Sequence, residues 1–319
     1  MDLNKEKTHV KLIFNPGSGE NLDSPVQLTS IINELQASGF IAETYLINSD
    51  SNLSEEVRDA IKQGIEMFVV CGGDGTVSSA ARELYGKNVT LGIIPTGTQN
   101  NIAFSLGIPS DIPSAISLLQ TGLRKKVDVG LVNCGENHIS FLEVCSVGLF
   151  SSIFSSADDI QHGNLLRIGD FLTELVTTQP AEIHLLLDNE REILTTGHVM
   201  LISNMPYVIR HFQVGSATSF NDGMLDVLLF ANMSKLDLVG YAINGQRLDQ
   251  SDDPRIHRFR IRKAEIYTDP AMPVMADGID LGEGRITVEV QKSALSVMTP
   301  CPAPKATEKP GDRLEKESE

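Results

Sequence analysis

Two glycine-rich stretches have the residue types to hold an oligophosphate: Gly72-Gly73-Asp74-Gly75-Thr76 and Pro95-Thr96-Gly97-Thr98-Gln99-Asn100-Asn101. Each follows an apolar run that reads as a buried strand, Met67 to Cys71 and Val89 to Ile94, and each opens a helix-like segment. Glycine lets the main chain approach a ligand and adopt positive φ, while the helix start that follows offers unpaired N–H groups and the positive end of its dipole. A third junction of the same character comes earlier, where Val10 to Phe14 runs into Asn15-Pro16-Gly17-Ser18-Gly19. Asp74 is the chemically pointed residue. A carboxylate beside phosphates is unfavourable unless it meets Mg²⁺ or accepts a proton.

The elements that must position these loops are legible as alternating periods. Ser24-Pro25 supplies a helix cap and a first-turn proline, and Val26, Leu28, Ile31, Ile32 and Leu35 recur on one helical face until Gly39. Leu53, Val57, Ala60 and Ile61 repeat the pattern, as do Val77, Ala80, Ala81 and Leu84, and then Ile112, Ala115, Ile116 and Leu119. Helices alternating with short strands predict an α/β, doubly wound nucleotide-binding domain over residues 1–126, its three loops gathered at the carboxyl edge of one parallel sheet.

From Val127 the pattern changes. Expected strands are Val127 to Val132, Ile139 to Val147, Ile183 to Leu187, Ile193 to Ser203, Leu225 to Phe230, Arg255 to Tyr267, Arg285 to Val290 and Ala294 to Met298; only Leu165 to Val176 and Leu236 to Ile243 look helical. This predicts a β-sandwich-like second domain over 127–298, and residues 299–319 carry too little apolar content to pack, as in a disordered tail.

The motifs NPGSG, GGDGT and PTGTQNNIAFSLGIP, in this order, resemble the diacylglycerol-kinase catalytic domain found in bacterial soluble lipid kinases and in eukaryotic sphingosine and ceramide kinases. The resemblance extends to Asn221-Asp222-Gly223-Met224-Leu225-Asp226 and Ala276-Asp277-Gly278, and so covers about the first 300 residues. It implies transfer of the γ-phosphoryl group of ATP to a lipid hydroxyl. Asn15, Pro16, Gly17, Ser18, Gly19, Gly72, Gly73, Asp74, Gly75, Thr76 and Thr98 would then bind nucleotide. It also implies a structural Mg²⁺ held by the Asp222 carboxylate and the carbonyls of Ser219 and Met224; the residues alone read instead as an Asp-Gly turn into a strand, since one carboxylate is a thin signal for Mg²⁺.

The chain departs from the family pattern at three places. Asn100-Asn101 stands where relatives read Asn-Asp, Ser78-Ser79 where they read Asn-Glu, and Asp277-Gly278-Ile279 where they read Asp-Gly-Glu. That glutamate is the family's proton acceptor, and isoleucine accepts no proton. Either Asp74, Asp277, Asp280 or Glu283 serves instead, with Asp74 and Asp280 taken as the catalytic candidates, or the step proceeds without a dedicated base.

Composition bounds the alternatives. The chain has 319 residues, 41% hydrophobic and 21% charged, and a formal net charge of -16. That balance disfavours nucleic-acid binding and broad attraction to anionic membranes. Against it stands Arg255 to Lys263, in which Arg258, Arg260 and Arg262 would share one strand face, giving either transient membrane contact or a solvated sheet face. No apolar run reaches the ~20 residues of a membrane span and the start is polar, which predicts a cytoplasmic protein. The four cysteines share no CxxC spacing and the seven histidines no HExxH pattern, so neither type predicts a metal site. A catalytically weak nucleotide- or lipid-binding relative is the rival reading, and NAD kinase, which shares the GGDGT loop, is a third.

Overall fold

The computed structural model describes residues 7–18, 24–149, 179–208, 212–216, 219–238 and 253–301. Its first half alternates strand and helix: β1 (Thr8–Phe14), α1 (Ser24–Ala37), β2 (Phe40–Leu46), α2 (Leu53–Lys62), β3 (Met67–Gly72), α3 (Asp74–Leu84), β4 (Thr90–Pro95), α4 (Asn101–Ser105) and α5 (Ile112–Thr121). β2, β1, β3 and β4 lie side by side in that order, all parallel. β3 is buried along its whole length and its side chains alternate between two cores. Phe68 and Val70 face α2 and α3, whereas Met67, Val69 and Cys71 face α1 and α5. Helices on both faces of a parallel sheet make this the doubly wound arrangement that the periodicity predicts.

Strands dominate the second half: β5 (Leu123–Cys134), β6 (Asn137–Phe141), β7 (Val144–Gly148), β8 (Ala181–Leu187), β9 (Arg191–Ser203), β10 (Tyr207–Val208), β11 (Phe212–Gln213), β12 (Leu225–Ala231), β13 (Ile256–Ile261), β14 (Lys263–Asp269), β15 (Pro273–Ala276), β16 (Ile279–Glu283) and β17 (Ile286–Thr299). They enclose a separate apolar core built from residues such as Val132, Ile202, Val227, Ile266 and Val288.

One ribbon joins the halves. β17 pairs antiparallel with β5 along most of its length, pairs with β14 at its start, and at Ser296 and Val297 adds in parallel to β4. Leu295 and Val297 consequently pack in the core of the first half, so the chain's last strand completes the sheet that its first strands begin. The expected division at residue 126 falls inside β5.

Several expected elements differ in extent. Ile139 to Val147 is two strands, broken at Leu142 and Glu143; Arg255 to Tyr267 is also two, broken at Arg262. The expected strands at 285–290 and 294–298 are one, with a register shift between Gln291 and Leu295. Of the expected tail, Thr299 is buried in β17. Residues 302–319, the expected helix Leu165 to Val176 and Gly19 lie outside the described residues, as does most of Leu236 to Ile243.

Candidate active site

The carboxyl ends of β1 to β4 meet at one edge because neighbouring strands hand hydrogen bonds across it. Asn15 N–H donates to the Cys71 carbonyl at 3.1 Å, Ile47 N–H to Phe14 at 2.9 Å, and Thr96 N–H to Gly72 at 3.1 Å. Just beyond, Asn15 folds its own loop by accepting the Gly17 N–H at 3.0 Å, while its amide nitrogen donates to the Thr76 hydroxyl at 2.8 Å. Two of the three loops are thereby tied together.

A cleft of about 450 Å³ opens above this edge. Asn15, Ser18, Gly73, Gly75 and Thr76 line it, all predicted from the sequence, together with Ile47, Asn48, Ser51, Leu53 and Ser79, which were not. Asn48 and Ser51 belong to the β2–α2 loop. Their signal was a polar run, Asn48-Ser49-Asp50-Ser51-Asn52, following a strand, but β2 alternates weakly and is half exposed. α3 starts at the cleft with no side chain capping it, so its positive end is turned to whatever the cleft holds.

The glycines serve by closeness, not by positive φ. Gly73 is extended, with φ −91° and ψ −174°, and Gly75 lies in the first turn of α3. A Cβ on Gly75 would meet nothing within 4 Å, so the space over it is open. Gly72 is buried under Thr76 and does not itself line the cleft. Pro16, Gly17 and Thr98 are exposed and do not line the cleft. The left-handed residue of the second loop is Asn100, with φ 53°, whose side chain accepts the Gly97 N–H at 3.0 Å and donates to the Gly97 carbonyl at 2.7 Å.

Asp74 points away from the first loop and into the second. Its two carboxylate oxygens accept the N–H groups of Asn101 at 3.0 Å and Ile102 at 2.9 Å, capping the short α4 from outside its own sequence. Asn101 in turn hydrogen-bonds Glu143, which stands in the break between β6 and β7. Burial first, then the carboxylates of Asp74 and Asp277, push the Glu143 carboxyl well above its ordinary range, against the Asn101 amide.

Asp277 sits in the β15–β16 turn at φ 43°. It accepts the N–H groups of Leu142 at 2.6 Å, Glu143 at 3.0 Å and Val144 at 2.9 Å. Loss of water raises its carboxyl above the usual value even against those donors. Asp74 and Asp277, from distant stretches of the chain, are thus both within electrostatic reach of Glu143. Glu143 was missed in the sequence because nothing around it marks a motif.

Asp280 is not part of this group. It is exposed and accepts its own turn's Gly282 N–H at 2.8 Å. Ile279 packs against the core of the second half. Glu283 is exposed at the end of β16.

Asp222 lies in the turn expected to hold Mg²⁺. Asp222 accepts the Met224 N–H at 2.9 Å through one oxygen and forms an ion pair with Arg260 through the other. Among the described residues no group of three or more His, Cys, Asp or Glu could hold a metal ion. Arg258, Arg260 and Arg262 are exposed and alternate with Phe259 and buried Ile261; Arg258 donates to the Val214 carbonyl at 3.2 Å, Arg260 pairs with Asp222, and Arg262 lies just beyond the end of β13.

A family model of the diacylglycerol kinase catalytic domain matches residues 9–132, and one of the YegS C-terminal NAD kinase beta sandwich-like domain matches residues 146–299. Residues 9–132 thus carry a domain of the diacylglycerol kinase catalytic type. It is 23% identical over 276 residues to a diacylglycerol kinase of Bacillus subtilis, covering 84% of this chain and 88% of that one. It is 26% identical over 317 residues to an uncharacterised protein of Synechocystis, covering 93% and 71%. The fold matches the crystal structure of a diacylglycerol kinase from Bacillus anthracis with a TM-score of 0.71 at 21% identity, over 92% of this chain and 97% of that one. A diacylglycerol-kinase-type catalytic domain followed by a β-sandwich-like domain is thus the architecture.

Proposed function

We propose that this protein transfers the γ-phosphoryl group of ATP, taken up as its Mg²⁺ complex, to a hydroxyl of diacylglycerol or a similar lipid. The observation that carries the reading is the open cleft at the sheet's carboxyl edge, with Gly73, Gly75 and Thr76 on one side and Asn15 and Ser18 on the other, facing the uncapped start of α3. Phosphoryl transfer is catalysed chiefly by positioning and by charge neutralisation, which backbone donors and a helix terminus supply. In this reading Asn15, Ser18 and Thr76 hold phosphate oxygens, and Asp74 fixes the second glycine loop against the first.

The proton acceptor in this reading is Glu143. Ile279 faces a core and Asp280 is spent on its own turn, whereas Glu143 lies beside Asp74 and Asp277 with a carboxyl whose affinity for a proton is raised. To accept a hydroxyl proton it must first be ionised, a form that the Asn101 amide hydrogen-bonded to it favours. The lipid meets the enzyme at a membrane surface, which a chain of net charge -16 touches only transiently.

The deciding experiment offers γ-labelled ATP with diacylglycerol, phosphatidylglycerol, sphingosine and NAD in parallel. Label in a lipid supports the proposal, and label in NAD alone replaces it with the activity that the second matched domain's description names. ATP binding with no transfer to any acceptor leaves a nucleotide-binding relative without kinase activity, the reading favoured by Ile279 and Asn101.

A further inference from the structure

The turn from Ser219 to Met224 is where the family resemblance implies a structural Mg²⁺, and three cationic side chains stand around it beside the carboxylates of Asp128 and Asp226. Arg260 stands directly across the β12–β13 ladder from Asp226. Its guanidinium forms an ion pair with Asp222 and lies 3.7 Å from Asp226 through Nε. Lys125 sits 4.5 Å above the Phe220 ring, and the stem of Lys292 covers Gly223, 3.0 Å from where a Cβ would stand. The turn's backbone is anchored as well: fully buried Asp128 accepts the Gly223 N–H at 2.6 Å and the Ser293 N–H at 2.7 Å.

A divalent cation needs oxygen ligands at ~2.0–2.6 Å and repels nearby positive charge. Here the one carboxylate assigned to it has an oxygen committed to Arg260, and two lysines border the same turn. The residues present do not fit the metal. We propose that the Arg260 guanidinium is the resident cation of this turn, built into the chain, and that the second half folds without a divalent metal there.

The test is thermal unfolding of the full-length protein, stripped with EDTA and then titrated with Mg²⁺, beside Arg260→Gln, Arg260→Lys and Asp222→Asn. The wild-type midpoint should be unchanged by millimolar Mg²⁺. In EDTA, Arg260→Gln should lower it by about 2–4 °C, as loss of a partly exposed pair does, and Arg260→Lys by less. Asp222→Asn should lower it by no more than Arg260→Gln, which also removes the Asp226 contact, and the double variant should resemble Arg260→Gln alone, because both changes remove the Asp222–Arg260 pair. A wild-type midpoint that climbs saturably with Mg²⁺ and stops doing so in Asp222→Asn overturns the proposal, as does an Arg260→Gln protein as stable as wild type in EDTA. A climb that persists in Asp222→Asn supports it, since the metal then acts elsewhere. Should Arg260→Gln fail to fold, the wild-type and Asp222→Asn titrations decide alone.

Discussion

The main chains of Gly73 and Gly97 touch: a Cβ built on Gly97 would stand 2.4 Å from the Gly73 Cα, and one on Gly73 would stand 3.1 Å from the Gly97 Cα. These glycines are the centres of the two loops and follow the neighbouring parallel strands β3 and β4. Their contact makes one wall of two loops. It also divides the glycines into those the fold needs and those the cleft needs.

Gly97→Ala should destabilise the protein by about 1–3 kcal/mol, because backbone opposes the added methyl and cannot rotate aside. Gly75→Val, placed over open space, should fold normally yet weaken Mg²⁺-ATP binding by more than about tenfold, since the side chain fills the cleft. Urea unfolding and calorimetric titration read the two effects separately. Wild-type ATP affinity in folded Gly75→Val would sink the cleft assignment.

Asp74 should behave as a cap. Asp74→Ala leaves the Asn101 and Ile102 N–H groups without their acceptor and should cost about 0.5–2 kcal/mol, whereas Asp74→Asn, which keeps one acceptor oxygen, should cost less. Hydrogen exchange at the amides of Asn101 and Ile102 checks the mechanism. Unchanged protection there in Asp74→Ala contradicts it.

Restoring the family glutamate should not restore a base. Ile279 packs on an apolar core, so Ile279→Glu should destabilise by about 1–3 kcal/mol and leave turnover no higher. Asp280→Asn should leave turnover unchanged. A rise in lipid phosphorylation by Ile279→Glu, or its loss in Asp280→Asn, would return the acceptor to β16.

Glu143 yields a pH signature with a definite sign. Its folded carboxyl is raised, so between the ordinary glutamate value of ~4.3 and the raised one the native state holds a proton that the unfolded chain has lost. The stability this confers is complete below ~4.3 and is lost as pH climbs through the folded value. Glu143→Gln has no such loss. Its stability relative to wild type should therefore increase with pH across that window and then level, as measured by urea unfolding from acid to mildly alkaline buffer. Parallel curves would refute the raised carboxyl, and a kcat reduced by less than the ~10²–10⁴-fold typical of a general base would refute its role as acceptor.

Local chemistry alone settled much of the molecule. Three strand-to-loop junctions with glycine, and helical periods such as Val77, Ala80, Ala81 and Leu84, specify the doubly wound half and the edge at which its loops collect, because burial of one face imposes its period on the residues. The same reasoning named five of the residues lining the cleft. It passed over Asn48 and Ser51 because β2, half exposed, has too little alternation to announce itself.

What the tertiary structure decided is pairing over long separation. Hydrophobic period carries no information about which strand adds to which, so only the fold shows that β17 joins β4 some two hundred residues upstream and that Gly73 meets Gly97. Nor does a motif say where a carboxylate points. Asp74 caps a helix 27 residues on, Asp277 binds the β6–β7 break 133 to 135 residues back, and Asp222 finds Arg260 38 residues away. Asp74 and Asp277 took their partners from the packed arrangement, because a hydrogen bond is worth most where folding has already excluded water and fixed the donor, whereas the partly exposed Asp222–Arg260 pair is brought together by the β12–β13 pairing.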